Sequence, residues 1–151
     1  MSKKAIIYTS YHHKNTFNLI KGAVNESDYH WYNLLEDNVE INLSNYDVVI
    51  FGSGIYAFRM HEKMLVFIKE HKKELLNKRI GVVITSGMKK DKSFKKKVIK
   101  LFSEISIDVK VFWAQGFNTF GFFKLFGGTG KNRPTKEDMT RLKEFIKENN
   151  L

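Results

Sequence analysis

The stretch Ala5-Ile6-Ile7-Tyr8-Thr9-Ser10-Tyr11-His12-His13-Lys14-Asn15-Thr16 runs from an apolar strand through a polar turn into a helix. Residues 5–8 form a strand-length apolar run, and Thr16, Phe17, Ile20, Ala23 and Val24 fall on one face at helical spacing. Between them lie Ser10, His12, His13, Lys14, Asn15 and Thr16, whose side chains all donate hydrogen bonds. The start of a helix adds free backbone N–H groups and the positive end of the helix dipole. A polar turn in that position is a candidate phosphate-binding loop. The competing reading is an ordinary strand-to-helix turn capped by Asn15 or Thr16.

Outward from this loop, strands and helices alternate. Residues 30–35 read as a second strand, and 36–45 leave room only for a loop or one helical turn. Residues 46–51 are almost continuously apolar, the pattern of a strand buried on both faces of a parallel sheet, so this strand is expected at the centre. A helix over 60–76 turns Met60, Met64, Leu65, Ile68, Leu75 and Leu76 inward. Residues 79–85 make a fourth strand and 86–88 a turn. A helix over 92–105 follows, with Phe94, Val98, Leu101, Phe102 and Ile105 facing in, and then a fifth strand over 109–114. The last helix begins near Pro134, with Thr135 and Asp138 as a capping pair, and buries Met139, Leu142, Phe145 and Ile146. Five strands alternating with helices predict an α/β fold, a doubly wound parallel sheet covered on both faces, in a single domain over residues 1–151.

Composition narrows the chemistry. The 151 residues suit one domain, and the absence of cysteine excludes disulfides, iron–sulfur clusters and cysteine nucleophiles. No signal-peptide core follows Met1, and no apolar run reaches membrane-spanning length, so a soluble cytoplasmic protein is expected. With 26 Lys and Arg against 16 Asp and Glu the net charge is +10, which favours acidic proteins, polyanions or anionic lipid surfaces. The lysines are densest at Lys89, Lys90, Lys92 and Lys95 to Lys97, and no nucleic-acid module is recognisable, so specific nucleic-acid binding is not expected. His12 and His13 are adjacent, and His30, His61 and His71 lack ligand spacing, so no metal site is expected. No Ser-His-Asp arrangement or catalytic carboxylate pair stands out.

Three stretches carry a resemblance. The loop Ser10-Tyr11-His12-His13-Lys14-Asn15-Thr16 is similar to the phosphate loop of the flavodoxin family, particularly its short members with a Ser-Tyr-His-His-x-Asn-Thr signature. Tyr46-Asp47-Val48-Val49-Ile50-Phe51-Gly52-Ser53-Gly54-Ile55-Tyr56 resembles the family's third strand and flavin-stacking loop. The tail from Gln115-Gly116-Phe117 through Gly127-Gly128 to Pro134 and Asp138 looks like the C-terminal part of the same subgroup. The resemblance implies the strand order 2-1-3-4-5 and FMN as cofactor. It places the phosphate on Ser10, His12, His13, Lys14, Asn15 and Thr16, and the ring between Ser53-Gly54-Ile55-Tyr56 and Thr85-Ser86-Gly87.

The chain departs from the family pattern in two places. Its loop is one residue longer, which leaves open whether Ser10 or Tyr11 faces the phosphate. Lys14 also stands where glycine is usual, adding charge but opposing a left-handed backbone. Residues 115–131 hold five Phe and five Gly and read as a long loop over the flavin-side edge. That loop has four possible uses: to shield a flavin, pair two subunits, touch a membrane surface, or pack its own aromatics as a satellite core.

The resemblance implies electron transfer to a redox partner protein. Ordinary flavodoxins are acidic and dock on basic partners, so this basic chain is expected to select an acidic one. The alternatives are a flavin-dependent oxidoreductase acting on a small substrate or quinone, as in the menaquinone-dependent protoporphyrinogen oxidases, and a binding module without flavin. No membrane span is expected, although peripheral contact is compatible with the charge.

Overall fold

The structure, a computed structural model, describes residues 1–88, 92–119 and 121–151, with nothing described of the His12 and Phe123 side chains. The predicted lysines Lys89 and Lys90, and Phe120 of the aromatic segment, lie outside the described residues. The elements in chain order are β1 (Lys4–Thr9), α1 (Asn15–Ala23), β2 (His30–Asn33), β3 (Val48–Tyr56), β4 (Arg59–Met60), α2 (Glu62–Glu70), α3 (Lys72–Leu75), β5 (Arg79–Ser86), α4 (Lys92–Ser103), β6 (Lys110–Gln115) and α5 (Lys136–Glu148). Short 3-10 turns lie between several of them.

The main sheet is parallel in the order β2-β1-β3-β5-β6, which is 2-1-3-4-5 when the two-residue β4 is set aside. Period-two alternation divides its side chains between two cores. Ala5, Ile7, Val49, Phe51, Val82 and Ile84 point to one face, where Met64 and Ile68 of α2, Leu75 of α3, and Phe94, Val98 and Phe102 of α4 cover them. Ile6, Val48, Ile50, Val83, Phe112 and Ala114 point to the other, under Leu19, Ile20 and Ala23 of α1 and Leu142 and Ile146 of α5. Strands buried on both sides read as continuous apolar runs, which is why residues 46–51 stood out.

The structure corrects the sequence reading in four places. The third strand does not stop at residue 51. It continues through Gly52, Ser53, Gly54, Ile55 and Tyr56, then folds back as an antiparallel hairpin with Ile55 opposite Met60 and Tyr56 opposite Arg59. Ala57 and Phe58 form the turn with φ of 46° and 66°, both left-handed, a geometry that two-residue hairpins usually give to Asn and Gly. The Phe58 ring meets Phe94 at 6.4 Å under the Lys97 ammonium, contacts that offset part of that backbone strain.

The other three corrections are smaller. The helix expected over 60–76 is two helices parted at His71, with Met60 in β4 and Leu76 exposed. Ser86 ends β5 rather than opening a turn. Leu19, rather than Phe17 or Val24, completes the buried stripe of α1.

The cap on α5 forms as the residue pattern predicts. Thr135 Oγ1 accepts from the Asp138 amide at 3.2 Å, and Asp138 Oδ2 accepts from the Thr135 amide at 2.8 Å and from Arg133 at 3.0 Å. Burial alone would raise the Asp138 carboxyl, but the Thr135 hydrogen bonds and the Arg133 guanidinium outweigh it and hold the carboxyl below its ordinary value. A carboxyl depressed in the folded state stabilises the fold above its unfolded pKa, about 4. That contribution is lost as pH falls through the lower folded value. Asp138→Asn is therefore expected to destabilise by about 1–2 kcal/mol at neutral pH. The gap to the parent should shrink below about pH 4, which urea unfolding at neutral and acid pH will read. A gap that does not narrow in acid would count against this role.

Candidate functional site

Every parallel strand delivers its following loop to the carboxyl edge of the sheet, and the order reverses between β1 and β3. At that edge four segments enclose a cavity of about 440 Å³. Ser10, His13, Asn15 and Thr16 come from the loop after β1 and the start of α1, and Gly54, Ile55, Tyr56 and Ala57 from the hairpin. Thr85, Ser86 and Gly87 come from the end of β5, and Phe117, Asn118 and Thr119 from the segment after β6.

The first wall is a bent turn. His13 and Lys14 both take left-handed backbones, with φ of 56° and 51°, so the lysine adopts the conformation that its side chain opposes. Consecutive residues of this kind turn successive backbone N–H groups together, the arrangement that makes anion-binding nests. Lys14 is the residue before α1, and neither Asn15 nor Thr16 caps the helix by its side chain. Ser10 Oγ instead accepts from the Phe17 amide at 3.3 Å. Ser10 lines the cavity, whereas Tyr11 does not and its side chain is exposed.

Asn15 and Thr16 reach across to other loops. Asn15 Nδ2 donates to the Phe117 carbonyl at 2.8 Å, and the Thr16 and Thr85 hydroxyls meet at 2.8 Å. His13 Nε2 lies 3.0 Å from Thr119 Oγ1, with its ring 4.6 Å from that of Phe117. Lys14 is exposed and does not line the cavity.

The second wall depends on a glycine. The Tyr56 ring lies across Gly54, where a Cβ would meet the Tyr56 hydroxyl at 2.8 Å. Burial raises the Tyr56 phenol, only partly offset by a hydrogen bond from the Tyr11 backbone, so the ring stays neutral at physiological pH. Ser53 does not line the cavity. Fully buried, it accepts from Thr9 Oγ1 at 3.2 Å and the His61 amide at 3.1 Å and donates to the Gly54 carbonyl at 2.8 Å, fixing the hairpin from behind. On the third wall Ser86 Oγ accepts from Trp113 Nε1 at 2.8 Å. The Gly87 carbonyl accepts from Thr129 Oγ1 at 2.9 Å.

Phe117, Asn118, Thr119 and Ala57 are cavity residues that the sequence did not single out. The glycine- and aromatic-rich composition of 115–131 marked the fourth wall only as a region. Among the described residues no group of three His, Cys, Asp or Glu stands close enough to hold a metal ion.

A parallel sheet of this order, with a cavity at its carboxyl edge beside the switch point, defines the flavodoxin-like class of doubly wound α/β proteins. The chain belongs to the flavodoxin domain family, whose model matches residues 5–129. It is 37% identical over 147 residues to an uncharacterized protein of Methanocaldococcus jannaschii, covering 96% of each chain. Among solved structures it is similar to the Trp repressor binding protein of Bacillus subtilis, with a TM-score of 0.66 at 18% identity, covering 96% of this chain and 97% of that one. A flavodoxin of Fusobacterium nucleatum bound to flavin mononucleotide matches with a TM-score of 0.62 at 15% identity, covering 98% of both chains. At such identities these two likenesses establish the fold.

Proposed function

We propose that this chain binds FMN in the four-walled cavity and carries electrons between redox partners. The observation that carries the proposal is the convergence of the loop after β1 and the carboxyl ends of β3 and β5 on one cavity of about 440 Å³, within the usual range for cofactor sites. The donor chemistry fits the cofactor. The left-handed turn at His13 and Lys14 and the start of α1 suit a phosphate, while Ile55, Tyr56 and Gly87 offer apolar and backbone surface to a planar ring. Next to the phosphate end lies an open groove of about 960 Å³ in which Lys131 adds positive potential, while Lys21 and Arg133 are paired with Glu26 and Asp138.

Bound there, FMN supplies one- and two-electron redox chemistry. The protein's share is to hold it, exclude water from it and set its surroundings with an uncharged Tyr56. The basic chain selects an acidic redox partner, and its lack of cysteine suits the reducing cytoplasm. Among the described residues no helix is long and apolar enough to cross a membrane.

The test is the visible absorption spectrum of the purified protein before and after adding FMN and removing the excess. Retained flavin bands are expected. The double change Asn15→Ala with Thr16→Val should weaken FMN by more than about tenfold, because it unties the loop from Phe117 and Thr85. A protein that retains no flavin even from concentrated FMN would end the proposal.

An oxidoreductase acting on a small quinone is the second reading. It is favoured by the exposed apolar side chains that follow the fourth cavity wall, Phe122, Leu125 and Phe126. Turnover of a quinone by the flavin-loaded protein, compared with electron delivery to an acidic protein acceptor, separates the two.

A further inference from the structure

The chain after the fourth wall leaves the body of the protein as a finger. Its base is pinned by paired backbone bonds between Asn118 and Thr129, at 2.8 and 2.7 Å, and by Thr129 Oγ1 donating to the Gly87 carbonyl at 2.9 Å. Its tip is the 3-10 turn Gly121–Phe126. There Phe122, Leu125 and Phe126 are 70%, 77% and 73% exposed, and the rings of Phe122 and Phe126 meet tilted, at 5.0 Å between centroids. Just after the tip, a Cβ built on Gly127 would meet nothing within 4 Å. These three side chains therefore do not form a satellite core. Three large apolar groups together in water mark an interaction surface.

The tip carries its own cation, on a chain whose net charge is +10. Of the other basic residues between Asp108 and Glu137, Lys110 is paired with Asp108 and Arg133 with Asp138. Lys124 sits within the tip itself and is exposed. A second copy seated on this surface through a two-fold axis would set Lys124 against its own equivalent. A globular partner would need a groove shaped for three protruding anchors. An anionic bilayer takes both parts at once, because its acyl boundary accepts aromatic and leucine side chains while its headgroups pair with lysine. We infer that the finger docks this protein on an anionic lipid surface, inserting Phe122, Leu125 and Phe126 with Lys124 at the headgroups. The inference does not depend on the flavin. Phe117, Asn118 and Thr119 at the finger's base line the cavity, so docking brings the cavity close to the bilayer.

The test is co-sedimentation of the full chain with phosphatidylcholine vesicles prepared with and without phosphatidylserine. Binding is expected on the anionic vesicles and to weaken as salt rises. The triple change F122S/L125S/F126S should reduce partitioning by at least about tenfold, and Lys124→Glu by about fivefold or more on anionic vesicles only. Circular dichroism of the same variants controls for folding, which exposed positions should leave unchanged. Equal partitioning of parent and triple variant would overturn the inference. So would sedimentation velocity showing concentration-dependent self-association that the triple change abolishes, because the tip would then be a contact between copies.

Discussion

Riboflavin, which is FMN without its phosphate, is expected to bind this protein at least about a hundredfold more weakly than FMN. The expectation rests on the turn after β1. Left-handed backbones at His13 and Lys14 precede a nine-residue helix whose first N–H groups have no intrahelical partner. Hydrogen bonds to a charged group contribute about 1.5–3 kcal/mol each, so two of them correspond to at least two decades of affinity. The Lys14 ammonium is exposed, and its attraction is weak and screened. Lys14→Ala should accordingly cost less than about tenfold, with the difference fading at high salt. Fluorescence titration of both flavins at two salt concentrations decides the matter. Equal affinities for FMN and riboflavin would mean that the turn is structural and that the flavin, if held, is held by its ring alone.

The second large effect is on stability. Phe51→Ala is expected to cost about 3–5 kcal/mol, a large part of the roughly 5–15 kcal/mol that holds a domain folded. Phe51 is fully buried in the middle of β3, with its ring 6.0 Å from that of Phe102 in α4 and 6.3 Å from that of Phe67 in α2. Truncation leaves a cavity between two helices and the central strand, where neither side can collapse without disturbing parallel partners on β1 and β5. Leu76→Ala, at a half-exposed position, is the control and should cost less than about 1 kcal/mol. Urea midpoints compare the two, and a Phe51→Ala midpoint close to the parent's would contradict this account of the core.

Much of this architecture is legible in the sequence because burial on both faces leaves a plain mark. The apolar runs at residues 5–8, 48–51 and 79–85 are strands for the reason that they lack polar alternation, although the run expected from 46 enters the sheet only at Val48, and Thr135 with Asp138 declares a helix start by chemistry alone. The missed features depend on what neighbours do. Gly52-Ser53-Gly54 has the composition of a loop, yet it is buried strand. A Cβ on Gly52 would meet Ile20 Cδ1 at 2.7 Å and Thr16 Cγ2 at 3.1 Å, so the small residue reflects a helix packed against it, not a turn. The Ala57-Phe58 turn carries neither Asn nor Gly, and the hairpin with the Phe94 and Lys97 contacts offsets its left-handed strain. At the site, the donor-rich loop identified the location. Its side chains, however, are partnered by Phe117, Thr119 and Thr85, residues 69 to 106 positions away along the chain, and no local pattern encodes such pairings.

One of those pairings, the bond from Asn15 Nδ2 to the Phe117 carbonyl, joins the cavity's first wall to the base of the finger. An occupant of the cavity that tightens or loosens this bond shifts the free energy of the finger. By thermodynamic reciprocity, whatever grips the finger from outside then shifts the occupant's dissociation constant by the same factor. If the finger docks on lipid as inferred, lipid attachment and cofactor retention become two sides of one equilibrium. A flavin affinity measured in free solution would then describe only the undocked protein.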